Sequence, residues 1–240
     1  MQHTTSLRVA ACLSATMLLA GCVTNEEGGT PDGWEPIVPD AVPEIAAMVP
    51  PEVAADGVLN VGTNPPFAPF EFKDSHGDVI GVEMDLARAV ASVMGMDFQA
   101  DDMDFAMILP AVSAGSLDAG ASGFTDNEER RQSFDFVNFL YAGVQWAAQP
   151  GADVDPDNAC GLNVGVQKGT VQIDDLEARN KECEAAGKEP IKAIVEQEQS
   201  KVTASLVSGK TEAMAADSPI SLYAVKQQGE ELEALGDIYD

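Results

Sequence analysis

A chain of 240 residues, 45 % hydrophobic and 6 % aromatic, is long enough to bury one large core or two small ones. Its 40 acids against 13 Lys and Arg leave a formal charge of -27, which repels nucleic acid and anionic lipid headgroups and argues against both as partners. With 2 histidines and 4 cysteines in no zinc-type spacing, neither a metal site nor a histidine-based hydrolase is expected.

In chain order, the first expected feature is a signal peptide at 1–21. Arg8 precedes an apolar run from Val9 to Ala20, shorter than the roughly 20 residues that span a bilayer. The run ends in LAGC, Leu19 to Cys22, which resembles the lipobox of bacterial lipoproteins. That resemblance implies lipidation of Cys22 and anchoring to the outer face of the cytoplasmic membrane. An ordinary cleaved signal with an incidental cysteine is the other reading. Residues 22–56 follow as an acidic, proline-rich tether without Lys or Arg. Such a composition buries no core and is expected to stay extended or loosely ordered, with one short helix in VPEIAAMVPPEVAADG.

The folded part begins with a strand at Leu59 and Val61, then a loop from Gly62. GVEMDLARAVASVMG places Met84, Leu86, Ala87, Val90, Ala91 and Met94 at helical spacing, with Gly95 as a stop. DFQAD reads as a strand, FAMILPAVSAG as a helix containing Pro110, and LDAGASG as a strand. This β-α-β-α-β order predicts a parallel sheet in lobe one, residues 57–143. After it comes SGFTDNEERR, where Thr125 and Glu128 have capping-box spacing and Glu128 and Glu129 are expected to open a helix. LYAGVQWAAQP supplies a hinge strand into lobe two, residues 144–235. There GLNVGVQKGT is a strand and loop, 171–186 a helix, IKAIVE a strand, SKVTASLVSGK a helix, TEAMAAD a strand and SPISLYAVKQQG a helix. Residues 236–240 read as the start of a return crossover. Cys160 and Cys183 remain once the signal and Cys22 are set aside, and export makes a disulfide between them the expected pairing, with two separate buried thiols as the alternative. A cleft between two α/β lobes is the default ligand site.

VGTNPPFAPFEFKDSHGDVIGVEMDLARAVASVMG, then DFAMILPAVSAGSLDAGASGFTDNEERRQSFDFVNFLY, resemble the extracellular solute-binding proteins of polar amino acid ABC importers. VGVQKGT and AADSP resemble the two motifs of that family's second lobe. The resemblance runs from about Gly57 to Asp240. It implies the α/β periplasmic-binding-protein type II fold, two lobes on a hinge, with the C-terminal part of lobe one missing from this chain. It further implies capture of an amino acid, delivery to a membrane permease, no cofactor, no catalysis and a monomer.

By that resemblance Arg130, of the Glu129–Arg130 pair, receives the ligand carboxylate with two parallel hydrogen bonds, helped by Thr125 and Thr170. Arg131 then points to solvent. Pairing of both arginines with Glu128 and Glu129 is the bland alternative. Asp217, with Ser122 and Gly123, takes the ammonium; its alternative is a plain cap on the next helix. Phe67 and Phe105 form apolar walls, whereas Phe70 and Phe72 read as core. Asn64 and Gln167 lie where specificity varies. As both are neutral amides, a polar uncharged ligand such as glutamine is expected, with Glu71, Asp101 and Glu196 as the acids that would serve a basic one. Two other classes share the fold: a cyclohexadienyl-type dehydratase and a ligand-sensing domain.

Overall fold

The computed structural model describes residues 29–240. The expected signal peptide and the lipidated Cys22 lie outside the described residues. Among those residues no helix is long and apolar enough to cross a membrane, and no group of three or more His, Cys, Asp or Glu is arranged to hold a metal ion.

The acidic segment behaves differently from its composition. A short helix α1 (Pro43–Ala46) forms, and the chain around it lies along lobe one. Val49 and Val53 pack on a cluster of Leu59, Val61, Ala91 and Met96. The Val42 amide donates to Val93 O, and the Ser92 hydroxyl donates to Pro39 O at 2.5 Å. Trp34 packs against Ala68, Phe72 and Ile80 while its indole N–H donates to the Asp85 carboxylate at 3.1 and 3.2 Å. A few apolar residues spaced among the prolines are enough to dock the strap, because each lands on a surface already apolar.

Lobe one is built on β1 (Val58–Thr63), flanked by β4 (Asp97–Asp102) and β5 (Ala119–Gly120), all parallel, in the order β4-β1-β5. The hairpin β2 (Phe72–Lys73) and β3 (Val79–Ile80) precedes α2 (Val82–Val93), and α3 (Phe105–Ser113) links β4 to β5. Pro110 is accommodated inside α3. Gly62 and Gly120 carry no side chain because a Cβ at either would lie within 2.7 Å of the side chains of Leu117 or Ile108.

Lobe two holds β6 (Val144–Ala148), β7 (Asn163–Gln167), α4 (Val171–Ala185), β8 (Lys192–Glu196), α5 (Gln199–Val207), β9 (Ala213–Asp217), α6 (Ser218–Gln228) and β10 (Glu233–Tyr239). Its sheet runs β10-β6-β9-β7-β8. β7 is parallel to β8 and β9, whereas β6 is antiparallel to β9 and β10. The alanine-rich β6 and β9 are weak strand formers by composition, yet both are covered on two faces and form the sheet centre. The charged β8 takes an edge. The Cys160–Cys183 disulfide ties the approach to β7 to α4.

Residues 236–240, the expected start of a return crossover, run beside the hinge strand β6. β10 continues to Tyr239, still in the second sheet and opposite Val144. Leu235 and Tyr239 pack on that lobe's core, and this apolar anchoring holds the strand on lobe two beyond the expected boundary at 235. Gly143 marks where the two crossing segments touch: a Cβ there would lie 2.4 Å from Tyr239 O.

Candidate functional site

Loops at the carboxyl ends of β1, β4, β5, β7 and β9 converge between the lobes, where open α/β sheets bind ligands. Lobe one brings Phe67, Phe105, Ser122, Gly123, Thr125 and Arg130 to one cleft. Gln167, Thr170 and Asp217 face them from lobe two. Asn64 does not line it.

Arg130 is held in place by backbone rather than by acids. Its Nη1 donates to Thr125 O at 2.8 Å and its Nη2 to Gly169 O, across the cleft, at 3.2 Å. The guanidinium carbon lies 5.5 Å from the centre of the Phe124 ring, which itself stacks on Phe105 at 4.6 Å. Burial lowers the guanidinium pKa, while Asp217, Asp174 and Glu129 push it back up; it stays a cation. Arg131 differs in every respect. It is exposed and spends its fork on Asp126, at 2.5 and 2.7 Å. Neither arginine forms the pairing with Glu128 and Glu129 that local charge suggested.

The expected helix at Glu128 reduces to one 3-10 turn, Arg130–Gln132. Its side-chain bond is Asn127 Oδ1 accepting from the Arg130 amide at 2.9 Å, so the Thr125–Glu128 capping box is not made. The reason is local: Thr125 O is engaged by the Arg130 guanidinium, and the chain after Ser133 leaves for the hinge without a helical stretch.

Asp217 stands at the N-cap position of α6 but makes no capping bond. Its Oδ1 accepts from Gln172 Nε2 at 2.8 Å instead. Burial raises its pKa, opposed by that bond and by Arg130. A carboxylate buried with an incomplete partner set favours an incoming cation. Gly123 approaches it closely. The residue has φ +62, and a Cβ would lie 2.8 Å from the Phe67 ring and 3.8 Å from Asp217 Oδ2. The Thr170 hydroxyl gives its proton to Gln167 O at 2.8 Å rather than capping α4.

Asn64 and Gln167 meet each other. Gln167 Nε2 donates to Asn64 Oδ1 at 2.7 Å across the lobes and lies 3.1 Å from Gln197 O, while Asn64 Nδ2 donates to Met103 O at 2.8 Å. Their bond ties the lobes together beside the cleft. The three acids considered for a basic ligand stand elsewhere: Glu71 is fully buried under Ser122, Asp101 accepts from Gln99, and Glu196 pairs with Lys210 at 2.6 Å. Phe70 and Phe72 are buried, and Phe70 joins Phe67, Ala216 and Ile220 in an apolar seam between the lobes.

Sequence reasoning missed Gln172, Gln199 and Phe124. Gln172 and Gln199 sit in the first turns of α4 and α5, at strand-to-helix junctions that point into the cleft; position, more than residue type, was the available signal. Phe124 lies inside the motif loop, where the neighbouring hydroxyl of Thr125 carries the plainer chemical signal.

The pattern of the bacterial extracellular solute-binding proteins, family 3, matches residues 59–234. The arginine-binding protein ArgT of Corynebacterium glutamicum is 55 % identical over 230 residues, 95 % of this chain and 76 % of that protein. The histidine-binding periplasmic protein of Escherichia coli is 30 % identical over 117 residues, 48 % of this chain and 45 % of that relative, so the match spans less than half of its length. An ancestral arginine-binding protein, solved bound to arginine and also bound to glutamine, matches with a TM-score of 0.69 and 31 % identity, over 77 % of this chain and 80 % of that one.

Proposed function

Because the chain belongs to the bacterial extracellular solute-binding proteins, family 3, we propose that it captures an L-α-amino acid between its lobes and hands it to the permease of an ABC importer. It is a solute-binding protein of the periplasmic-binding-protein type II fold, not an enzyme. The observation that carries the ligand class is the convergence of Arg130 and Asp217, one from each lobe, on a single cleft. The cation receives a carboxylate through its fork, and the buried anion receives an ammonium. Ser122, Gly123, Thr125 and Thr170 complete the two ends, and Phe67 and Phe105 wall the stem.

Arginine is the first ligand to expect, on the strength of the 55 % identical relative's name. Glutamine is the second reading, favoured by the cleft itself. Apart from Arg130 and Asp217, the polar side chains lining it are hydroxyls and amides. Gln199 Nε2 is buried there with no acceptor among the described residues, and a ligand carbonyl oxygen would satisfy it.

Calorimetry with L-arginine, L-lysine, L-histidine, L-glutamine and D-arginine tests this. Heat for L-arginine or L-glutamine and none for D-arginine is the expected outcome; no heat for any of the five overturns the amino-acid reading. Delivery follows from a lipid on Cys22, ahead of the strap that docks on lobe one, and from a monomeric pair of lobes. Release of a Cys22→Ser variant from membranes is the matching result.

A further inference from the structure

Beneath the Ser122–Gly123 loop lie two carboxyl groups that do not themselves line the cleft. Glu71 is fully buried, and Glu83, in the first turn of α2, is 3 % exposed. Gly81 brings them together. It has φ +128, and a Cβ there would lie 2.2 Å from Phe70 O, so α2 starts hard against the segment that carries Glu71. The Glu83 amide donates to Phe70 O at 3.1 Å.

Each carboxyl group holds one residue of the loop above. The Ser122 hydroxyl donates to Glu71 Oε1 at 2.5 Å, and the Gly123 amide donates to Glu83 Oε2 at 2.9 Å. Glu71 Oε2 is buried without a hydrogen-bond partner, as is the Thr63 hydroxyl oxygen that acts on the same carboxyl group, and the two carboxyl groups are near enough to act on each other. The other groups acting on them are the Thr63 hydroxyl from β1 and the Asp217 carboxylate from lobe two, with Arg130 beyond Asp217. Two ionised carboxylates in contact and out of water repel strongly. Two neutral acids would give the Gly123 amide a weaker acceptor. One acid and one carboxylate satisfies the orphaned oxygen and keeps a charge-assisted bond to Gly123.

We propose that Glu71 and Glu83 share a single proton, held on Glu71 and donated to Glu83, and that this pair positions the Ser122–Gly123 loop for the ligand's ammonium. The ligand half of this inference rests on the amino-acid reading above. Burial and mutual repulsion raise the Glu71 pKa well above the ordinary carboxylate value; burial raises that of Glu83. Glu71 and Glu83 are therefore positioning residues, acting on the ligand through the loop.

Two measurements decide the pair without any ligand. Difference infrared spectroscopy at neutral pH is expected to show the carbonyl stretch of an un-ionised carboxylic acid, lost in Glu71→Gln and retained in Glu83→Gln. Amide exchange at Gly123 is expected to quicken in Glu83→Gln and to stay slow in Glu71→Gln, whose amide keeps both a donor for Glu83 and an acceptor for Ser122. Calorimetry with L-arginine and L-glutamine reads the consequence: affinity within about threefold of the parent for Glu71→Gln, and at least about tenfold weaker for Glu83→Gln. Absence of the infrared band in the parent, its survival in Glu71→Gln, or equal losses in the two variants overturns the proposal. If the parent binds neither amino acid, the reading of the cleft fails, while the band and the Gly123 exchange still decide the proton.

Discussion

The two lobes hold the two ends of the cleft with unequal firmness. Lobe two places Asp217 at the end of β9, a strand whose Ala213–Ala216 are buried between β6 and β7, in a lobe closed by a disulfide and by a core that includes Trp146, Val164, Val166 and Leu176. Lobe one places Arg130 on a single 3-10 turn, fixed by two backbone carbonyls, one of them on the other lobe. Its sheet has three strands, and the segment that follows leaves Val137 and Tyr141 more than nine-tenths exposed. The anion is thus built into a sheet, and the cation stands on a short turn that takes one of its two guanidinium bonds from the facing lobe.

The largest expected effect tests that contrast directly. Arg130→Ala is expected to cost about 3–4 kcal/mol in calorimetric binding of L-arginine, because one charge of a desolvated pair is removed and Asp217 and the ligand carboxylate lose their counter-charge. Asp217→Asn is expected to cost a similar amount. If the first variant is much milder than the second, lobe one contributes less to affinity than its geometry implies. Next in size, replacing Cys160 and Cys183 together by Ser opens a link of sequence separation 23 and is expected to lower stability in denaturant by roughly 3 kcal/mol. The loss should be confined to lobe two, with amide protection in β1 and β4 unchanged. Trp34→Ala removes partly buried ring packing and the bond to Asp85, and is expected to cost about 1–2 kcal/mol, this time in lobe one.

Smaller still is a pH effect with a definite sign. The buried Glu71, Glu83 and Asp217 have pKa values raised on folding, so the folded state binds protons more tightly than the unfolded chain. Their contribution is fully present below the ordinary carboxylate range and is lost as the pH climbs through their raised values. Asp126 and Glu196, lowered by Arg131 and Lys210, work the other way and lose their contribution only in acid. The melting temperature of the ligand-free protein is therefore expected to rise from pH 8 toward mildly acidic pH and to fall again in strong acid. In Glu71→Gln the rise should be smaller. The smallest effect belongs to Arg131→Ala: its exposed pair with Asp126 is screened by solvent, so neither the melting temperature nor ligand binding should change measurably.

Much of this was legible before any coordinates. Helical period placed α2 and α4, while glycine stops bounded α3, α5 and α6, with a serine start for α5. The alternation of β7 and α4 with β8 and α5 followed from the same signals. Charge logic separated Arg130 from Arg131 only with the help of a motif, since their local surroundings read alike. What stayed hidden depends on contacts distant in sequence. Asn64 and Gln167, 103 residues apart, bond to one another. Glu71 and Glu83 are ordinary acids in the sequence and become a buried pair only when Gly81 folds α2 back. The strap from Trp34 to Val53 looked like solvated linker because composition averages away the few apolar residues that dock it.

One further consequence follows from the placement of the chain's 2 tryptophans. Trp146 lies on the crossing strand β6, its N–H donating to the Tyr239 hydroxyl on β10 at 2.7 Å, with Arg179 5.5 Å from its ring. Trp34 rides on the strap against lobe one. The molecule thereby carries two native fluorophores, one in the core of lobe two and one on the strap along lobe one, so that removing either leaves an unlabelled protein whose emission reports a single lobe.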